Sequence, residues 1–194
     1  MALLPEKEHM QKIEQECINA FELGEKISAI ELAGRVMRLE GMPMHCPYHH
    51  YLVPAVLLTT AHINEESDKE QFLKDLKTAA ERAGSIPGGI CGNNGCCGAA
   101  VGVGIFASIW QGTSPHAKSG WAACNQMTAN ALTTIASVEG PRCCKRVTFF
   151  SVLSAVESAE KILNVDLGQI REVKCSFFQN SRECKKEKCP FYPL

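Results

Sequence analysis

The chain has 194 residues, 45% of them hydrophobic, which predicts one compact domain with a full core. A formal net charge of −1 excludes the basic surface typical of nucleic-acid-binding proteins. The N-terminal residues become charged almost at once, and no apolar run reaches the roughly 18 residues of a membrane span. We therefore expect a soluble, cytoplasmic protein that binds neither nucleic acid nor membrane.

The chain contains eleven cysteines, far more than a cytosolic protein of this size normally carries. The odd count and the expected lack of a secretion signal argue against a disulfide framework. Two pairs are adjacent in sequence, and a disulfide between neighbours would be strained: Cys96-Cys97 and Cys143-Cys144. We interpret the clustered cysteines as metal ligands or redox groups, because thiolates are soft donors for iron, zinc and copper(I).

Two amphipathic helices are predicted first, over Pro5 to Gly24 and Ile27 to Leu39. Apolar residues recur at helical spacing in both, and Gly24 is a plausible C-terminal stop. Cys17 lies on the apolar face of the first helix, so we interpret it as a core residue.

The next segment, residues 41–50, is a proline-containing loop with one cysteine and three histidines. Pro47 suits the first position of the following helix, because its missing N–H needs no partner there. Cys46 would then cap the helix, where the helix dipole favours a thiolate. His49 and His50 are candidates for proton transfer, since histidine titrates near neutral pH. The alternative is a capping loop with exposed histidines.

The stretch 88–104, GGICGNNGCCGAAVGVG, places three cysteines in a glycine-rich loop: Cys91, Cys96 and Cys97. Glycine allows the backbone to approach a ligand closely, so we interpret this stretch as a loop around a soft inorganic centre. The alternative is a turn between buried helices whose cysteines act as small hydrophobes. A buried helix is predicted to follow over Gly98 to Gln111, with a glycine face that admits a second backbone or a cofactor.

Three further helices complete the predicted body, over Ser67 to Gly84, Pro115 to about Val138, and about Val147 to Leu163. Ser114 is the expected cap of the second of these, with a proline at the first helical position. Cys124 fits the buried face of that helix and is interpreted as a core residue.

The turn 140–146, GPRCCKR, repeats the order of a glycine or proline, a cysteine pair and a helix start. Arg142, Lys145 and Arg146 flank the sulfur atoms, and both cations and a helix N-terminus lower thiol pKa values. We therefore predict that these three side chains stabilise an anionic cluster or bind a carboxylate substrate. The alternative is a solvated basic turn.

The last segment, 167–194, is a polar tail predicted to bind metal while packed on a helical domain formed by 1–166. With so little apolar content it would be ordered chiefly by the metal. Three thiolates do not complete the coordination of a metal. Either Cys46 or one of the histidines in 45–50 supplies a fourth donor, as zinc requires, or the metal is an iron with an open position. The tail cysteines follow the pattern C-x8-C-x4-C-P: Cys175, Cys184 and Cys189.

Four segments of this chain together resemble an uncharacterised cysteine-rich prokaryotic family: HCPYHH, CGNNGCCGAAVGVGIF, GPRCCKR and CSFFQNSRECKKEKCPFY. Members of that family occur alone and fused to methyltransferase-like domains. The resemblance covers nearly the whole chain from Gly41 onward. It implies that these residues are important, but it assigns no chemistry; the partner we expect is a small-molecule substrate or a redox or methyltransferase-type protein.

The chain is also similar, more locally, to the α-domain of iron–sulfur L-serine dehydratases. Cys96 or Cys97 with GAAVGVGIF resembles the glycine- and cysteine-rich segment of that all-helical domain, and Gly140 to Cys144 loosely resembles its later Cys-Pro-Gly turn. The resemblance implies a [4Fe–4S] cluster with three cysteine ligands, whose open iron binds the substrate hydroxyl.

We therefore predict an all-α domain that carries at least one iron–sulfur cluster of the [4Fe–4S] type, with zinc as the alternative metal. The tail cysteines would hold a second site or converge with Cys46 on the first. The functional hypothesis is an enzyme whose open iron acts as a Lewis acid on a small hydroxyl- or sulfur-containing substrate. The candidate ligands of the central site are Cys91, Cys96, Cys97, Cys143 and Cys144.

Two alternatives remain open at the level of sequence. The protein could be an electron-transfer or cluster-carrier module that serves a redox or methyltransferase-type partner protein. It could instead be an interaction domain stabilised by zinc. The predicted glycine faces also make a homodimer a reasonable expectation.

Overall fold

The computed structural model describes residues 4–170 and 172–193, so a few residues of the predicted segments 1–166 and 167–194 lie outside it. The described part contains no strand, which confirms the all-α prediction. Two short 3₁₀ helices, Phe178–Asn180 and Lys186–Lys188, lie in the tail. The described α-helices are α1 (Lys7–Glu22), α2 (Ala29–Met37), α3 (Tyr48–Asn64), α4 (Lys69–Gly84), α5 (Ile90–Asn93), α6 (Gly98–Trp110), α7 (Trp121–Ala136) and α8 (Cys144–Leu163).

Side-chain caps fix the start of two of the helices. The Ser28 hydroxyl accepts a hydrogen bond from the N–H of Glu31, and the Glu31 carboxylate accepts one from the N–H of Ser28, which forms a capping box on α2. The Asp68 carboxylate accepts hydrogen bonds from two N–H groups in the first turn of α4. Gly24 takes a φ of +58° just after α1, as expected for a helix stop.

Helix α3 is the centre of the fold. Its residues from Tyr51 to His62 are all buried, and it contacts α1, α2, α4, α6 and α8. A helix that is apolar on every side must be surrounded by other helices, because no face of it suits water. This central position holds the first turn of α3, with its histidines, against the glycine-rich segment that precedes α6.

Helices α3 and α6 approach closely through glycine. A Cβ on Gly102 would lie 2.8 Å from the Cδ of Pro54 and 2.9 Å from the carbonyl oxygen of His50, and a Cβ on Gly98 would overlap the His50 ring. The predicted glycine face of α6 is therefore used for helix packing within the chain. It no longer supports a homodimer.

Three predicted helix starts were wrong. Ser114 does not cap α7: the chain runs irregularly to Gly120, whose φ of +78° is incompatible with a helix interior, and α7 starts only at Trp121. Pro47 is the N-cap of α3 rather than its first residue, so Cys46 lies one position before the cap. Helix α8 begins at Cys144, three residues before the predicted Val147, with Cys143 as its N-cap.

The tail packs against the N-terminal half of α8. The ring of Phe191 lies 5.3 Å from the ring of Phe149 and 5.0 Å from that of Phe150, centroid to centroid. The N–H of Cys175 donates to the carbonyl of Phe191 over 2.7 Å, which brings the two ends of the tail together. These contacts place the tail cysteines beside the cysteine pair at the start of α8.

No helix in the described residues is both long and apolar enough to cross a membrane.

Candidate functional site

A cavity of about 940 Å³ lies where the N-terminal ends of α3, α6 and α8 meet the C-terminal end of α7. Its volume is at the upper end of the range of small-molecule sites, which is about 300–1,000 Å³. We call it the central cavity. It is lined by three histidines of the loop before α3 and its first turn, by glycines between 88 and 98, and by four cysteines: Cys46, Cys91, Cys97 and Cys144.

Three of these cysteines lie at helix starts. Cys97 is the N-cap of α6, Cys144 is the first residue of α8, and Cys46 directly precedes the N-cap of α3. The N-terminus of a helix carries a partial positive charge, so three such ends make the cavity favourable for anions. Arg142 and Arg146 also line the cavity and add full positive charges.

Burial nevertheless raises the thiol pKa values at these positions. It raises the pKa of Cys144 to about 11, against the opposing charge of Arg142, and it raises the pKa of Cys97 against the N–H groups at the start of α6. The pKa of Cys143 is also raised by burial, although Arg146 is close. The predicted lowering was therefore wrong for Cys143 and Cys144, because loss of hydration outweighs cations and helix dipole. Metal binding would have to displace protons from these thiols.

His49 is the most deeply buried polar group of the central cavity, with 1% of its surface exposed. Its Nδ1 lies 2.8 Å from the carbonyl oxygen of Cys46, which can only accept, so Nδ1 carries the proton. Nε2 then has a free lone pair, and it has no hydrogen-bond partner among the described residues. Burial and the nearby Lys145 ammonium hold the pKa of His49 well below its usual range, so the ring is neutral.

The other two histidines of this loop also line the central cavity. The Nδ1 of His50 lies 3.2 Å from the carbonyl oxygen of Ile86, and burial lowers the pKa of its ring. His45 forms a 3.2 Å contact through Nε2 with the carboxylate of Glu183, which connects the rim of the cavity to the tail.

A second, much smaller cavity of about 20 Å³ lies between the tail and the start of α8. We call it the tail cavity. Apart from Arg146, Lys185 and Ser181, its surroundings are mainly aromatic rings and sulfur atoms, and Phe177, Phe178 and Phe191 are among them. Four cysteines line it: Cys143, Cys175, Cys184 and Cys189.

The predicted ligands are therefore divided between two cavities. The adjacent residues Cys143 and Cys144 line different cavities, and the tail cysteines meet Cys143 rather than Cys46. Cys96 is not among the described residues that line either cavity. Within the described part, no three His, Cys, Asp or Glu side chains stand close enough to hold a metal ion as they are placed, so either cavity would need its sulfur atoms to draw together.

Lys145 lies between the two cavities and is 1% exposed. Its ammonium donates hydrogen bonds to the hydroxyl of Tyr48 and the carbonyl of Met37, and it lies 4.8 Å from the centre of the Phe177 ring. Burial lowers its pKa to about 8, while thiolates at Cys144 and Cys143 would raise it. The partner role of Tyr48 could not be found by sequence reasoning, because nothing in HCPYHH distinguishes a buried hydroxyl from an exposed one.

The two interpreted core cysteines are placed as predicted. Cys17 is fully buried among apolar residues, and burial raises its pKa to about 12. Cys124 packs partly against the core, and its thiol donates to the carbonyl of Gly120 over 3.1 Å.

The fold and its cavities define an all-helical protein with two cysteine-lined sites that share one helix start. The chain belongs to DUF5714, a family of unknown function, whose family model matches residues 13–192. This agrees with the expected membership of an uncharacterised family. Neither the curated proteins nor the solved structures include a match to this chain.

Proposed function

We propose that the protein is an iron–sulfur enzyme whose cluster lies in the central cavity. The observation that carries this proposal is the convergence of four cysteines from three separate segments on one cavity of about 940 Å³. Cysteine thiolates are the usual protein ligands of iron–sulfur clusters. The candidate ligands are Cys46, Cys91, Cys97 and Cys144.

Electrostatic interactions and one backbone hydrogen bond connect these four cysteines. The thiol of Cys97 interacts electrostatically with Cys91, and the thiol of Cys144 interacts with Cys97. The backbone of Cys46 forms a hydrogen bond with the thiol of Cys144. These interactions support one ligand shared by the four residues, which would have to draw their sulfur atoms together.

The remaining lining residues favour catalysis over simple storage of a cluster. A cluster with one iron free of cysteine would supply a Lewis acid. The unpartnered Nε2 of His49 would accept a proton from a small hydroxyl- or sulfur-containing substrate, and Arg142 would bind its carboxylate. The sequence likeness to the serine dehydratase α-domain supports the same reaction class.

The count of four lining cysteines also favours a second candidate. If all four bound the cluster, no iron would be open, and the protein would transfer electrons or carry clusters for a partner protein. The two candidates differ in whether one of the four cysteines is dispensable for the cluster.

Anaerobic purification followed by iron and sulfide analysis and EPR spectroscopy tests the proposal. We expect about four iron atoms and four sulfides per chain. Cys97→Ser should remove both, whereas Cys17→Ser, which changes a thiol of the core, should retain them. A protein that contains neither iron nor sulfide after anaerobic purification would contradict the proposal.

Adding a small hydroxy acid to the reduced protein then separates enzyme from electron carrier. At an open iron, the substrate hydroxyl would change the EPR signal of the cluster. At a fully cysteinyl cluster the signal would stay the same, and the second candidate would hold.

A further inference from the structure

We infer that the tail cavity is a second and chemically different metal site, in which Cys143, Cys175, Cys184 and Cys189 bind one zinc ion as a tetrathiolate. The inference goes beyond the proposed function, since none of these four cysteines lines the central cavity. It also assigns the fourth ligand of the tail, which the spacing of the three tail cysteines left open.

The size of the tail cavity decides the kind of metal. Its volume is about 20 Å³, close to the roughly 10–15 Å³ that a single water molecule needs on this measure. That space is close to the size of one ion and is far smaller than a cluster of four iron and four sulfur atoms. Four thiolates around a single divalent ion form the tetrahedral arrangement of structural zinc sites.

Backbone N–H groups already point at the sulfur atoms. The N–H of Phe177 donates to the Sγ of Cys175 over 3.3 Å, and the N–H of Lys186 donates to the Sγ of Cys184 over 3.4 Å. In both cases the donor is two residues after the cysteine. Such hydrogen bonds orient thiolate ligands and stabilise their negative charge, as expected around a bound metal.

Two buried cations beside the tail cavity lack an anion. Lys145 is 1% exposed and Arg146 is 5% exposed, and within the described part neither is paired with a carboxylate. A buried charge without a counter-charge is costly. Zinc bound by four thiolates carries a net charge of −2, and it would supply the missing anion at Cys143, which lies two residues before Lys145 and three before Arg146.

The tail has little regular structure and few buried apolar side chains, which is an independent reason to expect a metal. Apart from two short 3₁₀ helices, residues 172–193 are irregular, and their buried apolar side chains are Phe177 and Phe191. So small an apolar contact stabilises a segment of this length weakly. A metal that joins three tail thiolates to the N-cap of α8 would supply the missing binding energy.

Metal analysis of the full-length protein, purified anaerobically, tests the inference. We expect one zinc per chain in the wild type, complete loss of zinc in Cys189→Ser, and unchanged iron and sulfide in that variant. Cys124→Ser is the matched control, because it removes a partly buried thiol outside both sets of four, and it should keep its zinc. Equal zinc in Cys189→Ser and wild type, or iron that falls together with zinc, would overturn the inference.

Zinc K-edge X-ray absorption on the wild-type protein provides a test that no folding defect can obscure. Four sulfur neighbours at about 2.3 Å would support the site. A nitrogen or oxygen neighbour, or iron as the only metal, would refute it. Failure of the iron proposal would leave these results unchanged, since they concern zinc alone.

Discussion

The central and tail cavities are each lined by four cysteines, yet their volumes differ about fifty-fold. The central cavity has about 940 Å³ and the tail cavity about 20 Å³. The central cavity is bounded by the ends of long helices and contains histidines and arginines. The tail cavity is bounded largely by aromatic rings and an irregular segment. The same type of ligand therefore occurs in a roomy, polar setting and in a tight, apolar one.

This difference indicates that space and neighbouring groups, rather than the number of thiols, decide what each site can do. The central cavity can hold a cluster together with a substrate and a proton acceptor. The tail cavity has no room beyond a single ion. One site is suited to chemistry, and the other is suited to holding the tail on α8.

The most direct test of whether the two cavities bind different metals uses the adjacent cysteines at the start of α8. We expect Cys144→Ser to lose most iron and sulfide while keeping zinc, and Cys143→Ser to lose zinc while keeping iron and sulfide. The reason is that the two residues line different cavities. Metal and sulfide analysis of the two variants checks this. If both variants lost the same metal, the division into two sites would be wrong.

A second test separates catalysis from cluster binding in the central cavity. With a small hydroxy acid identified as substrate, we expect His49→Gln to lower kcat by about 10²–10⁴, because a positioned proton acceptor contributes that much. Iron content and the EPR signal should remain as in the wild type. His116→Gln, which changes an exposed histidine, should leave the rate unaltered. A loss of iron in His49→Gln would instead make this residue a cluster ligand.

Lys145 allows a test in which the sign of the effect depends on metal. In metal-free protein we expect Lys145→Met to be neutral or to stabilise by about 1–4 kcal/mol, since a buried charge without a counter-ion is removed. In metal-loaded protein the same change should destabilise, because the anionic sites lose a counter-charge. Denaturant unfolding of both forms measures this. The Tyr48 hydroxyl keeps its hydrogen bond to the carbonyl of Pro43 in the variant.

An unchanged sign in the two forms would show that no anion forms next to Lys145 when metal is added. That result would count against both proposed sites, since Lys145 lies beside Cys143 and Cys144. Destabilisation by Lys145→Met in the metal-loaded form alone is the outcome that the charge argument requires.

A change in the packing of α3 against α6 should have a smaller effect on stability, and it should affect the metal content of the central cavity more than that of the tail cavity. We expect Gly102→Ala to destabilise by about 1–3 kcal/mol, because its Cβ would lie 2.8 Å from the Cδ of Pro54. Displacing α3 from α6 should lower iron content more than zinc content. Gly84→Ala is the matched control, since its Cβ would meet only the end of Met10 at 3.9 Å. Thermal unfolding and metal analysis of both variants check the expectation.

The helical body was largely predictable from sequence, because most of its helices repeat apolar residues at helical spacing and α3 and α6 are long apolar runs, although the short α5 was not predicted. The start of α7 was not, since Ser114 and the following proline resemble a cap while the left-handed Gly120 sets the real boundary. The candidate cysteines were also found from their clustering. Their burial, which raises the pKa of Cys144 to about 11, depends on tertiary packing and has no local signal.

The division of the cysteine pair was likewise beyond sequence reasoning. Adjacent residues in a sequence suggest a shared site, but successive side chains of a helix point about 100° apart around its axis. At the start of α8, Cys143 has an extended backbone with φ −136°, and Cys144 is already helical. One residue therefore turns towards the tail and the next towards the central cavity.

The smallest expected effect is a pH dependence of stability at His62, near the C-terminal end of α3. It separates the stability of the whole fold from effects at the two cavities. His62 is buried against the rings of Phe72 and Trp110, and its Nε2 lies 3.1 Å from the carboxylate of Asp75. Burial lowers its pKa from the usual 6.5, and this outweighs the opposing effect of Asp75. The unfolded chain therefore takes up a proton on His62 at a higher pH than the folded chain does.

The contribution of His62 to stability is thus complete above about pH 6.5 and is lost as the pH falls through its lowered folded pKa. We expect the free energy of unfolding to decline over that range, and His62→Gln to decline less steeply, because glutamine can still donate to Asp75 but does not titrate. Denaturant unfolding at a series of pH values measures both slopes. Parallel slopes in the two proteins would assign the acid sensitivity to histidines elsewhere, first to His49 and His50 at the central cavity, whose pKa values burial also lowers.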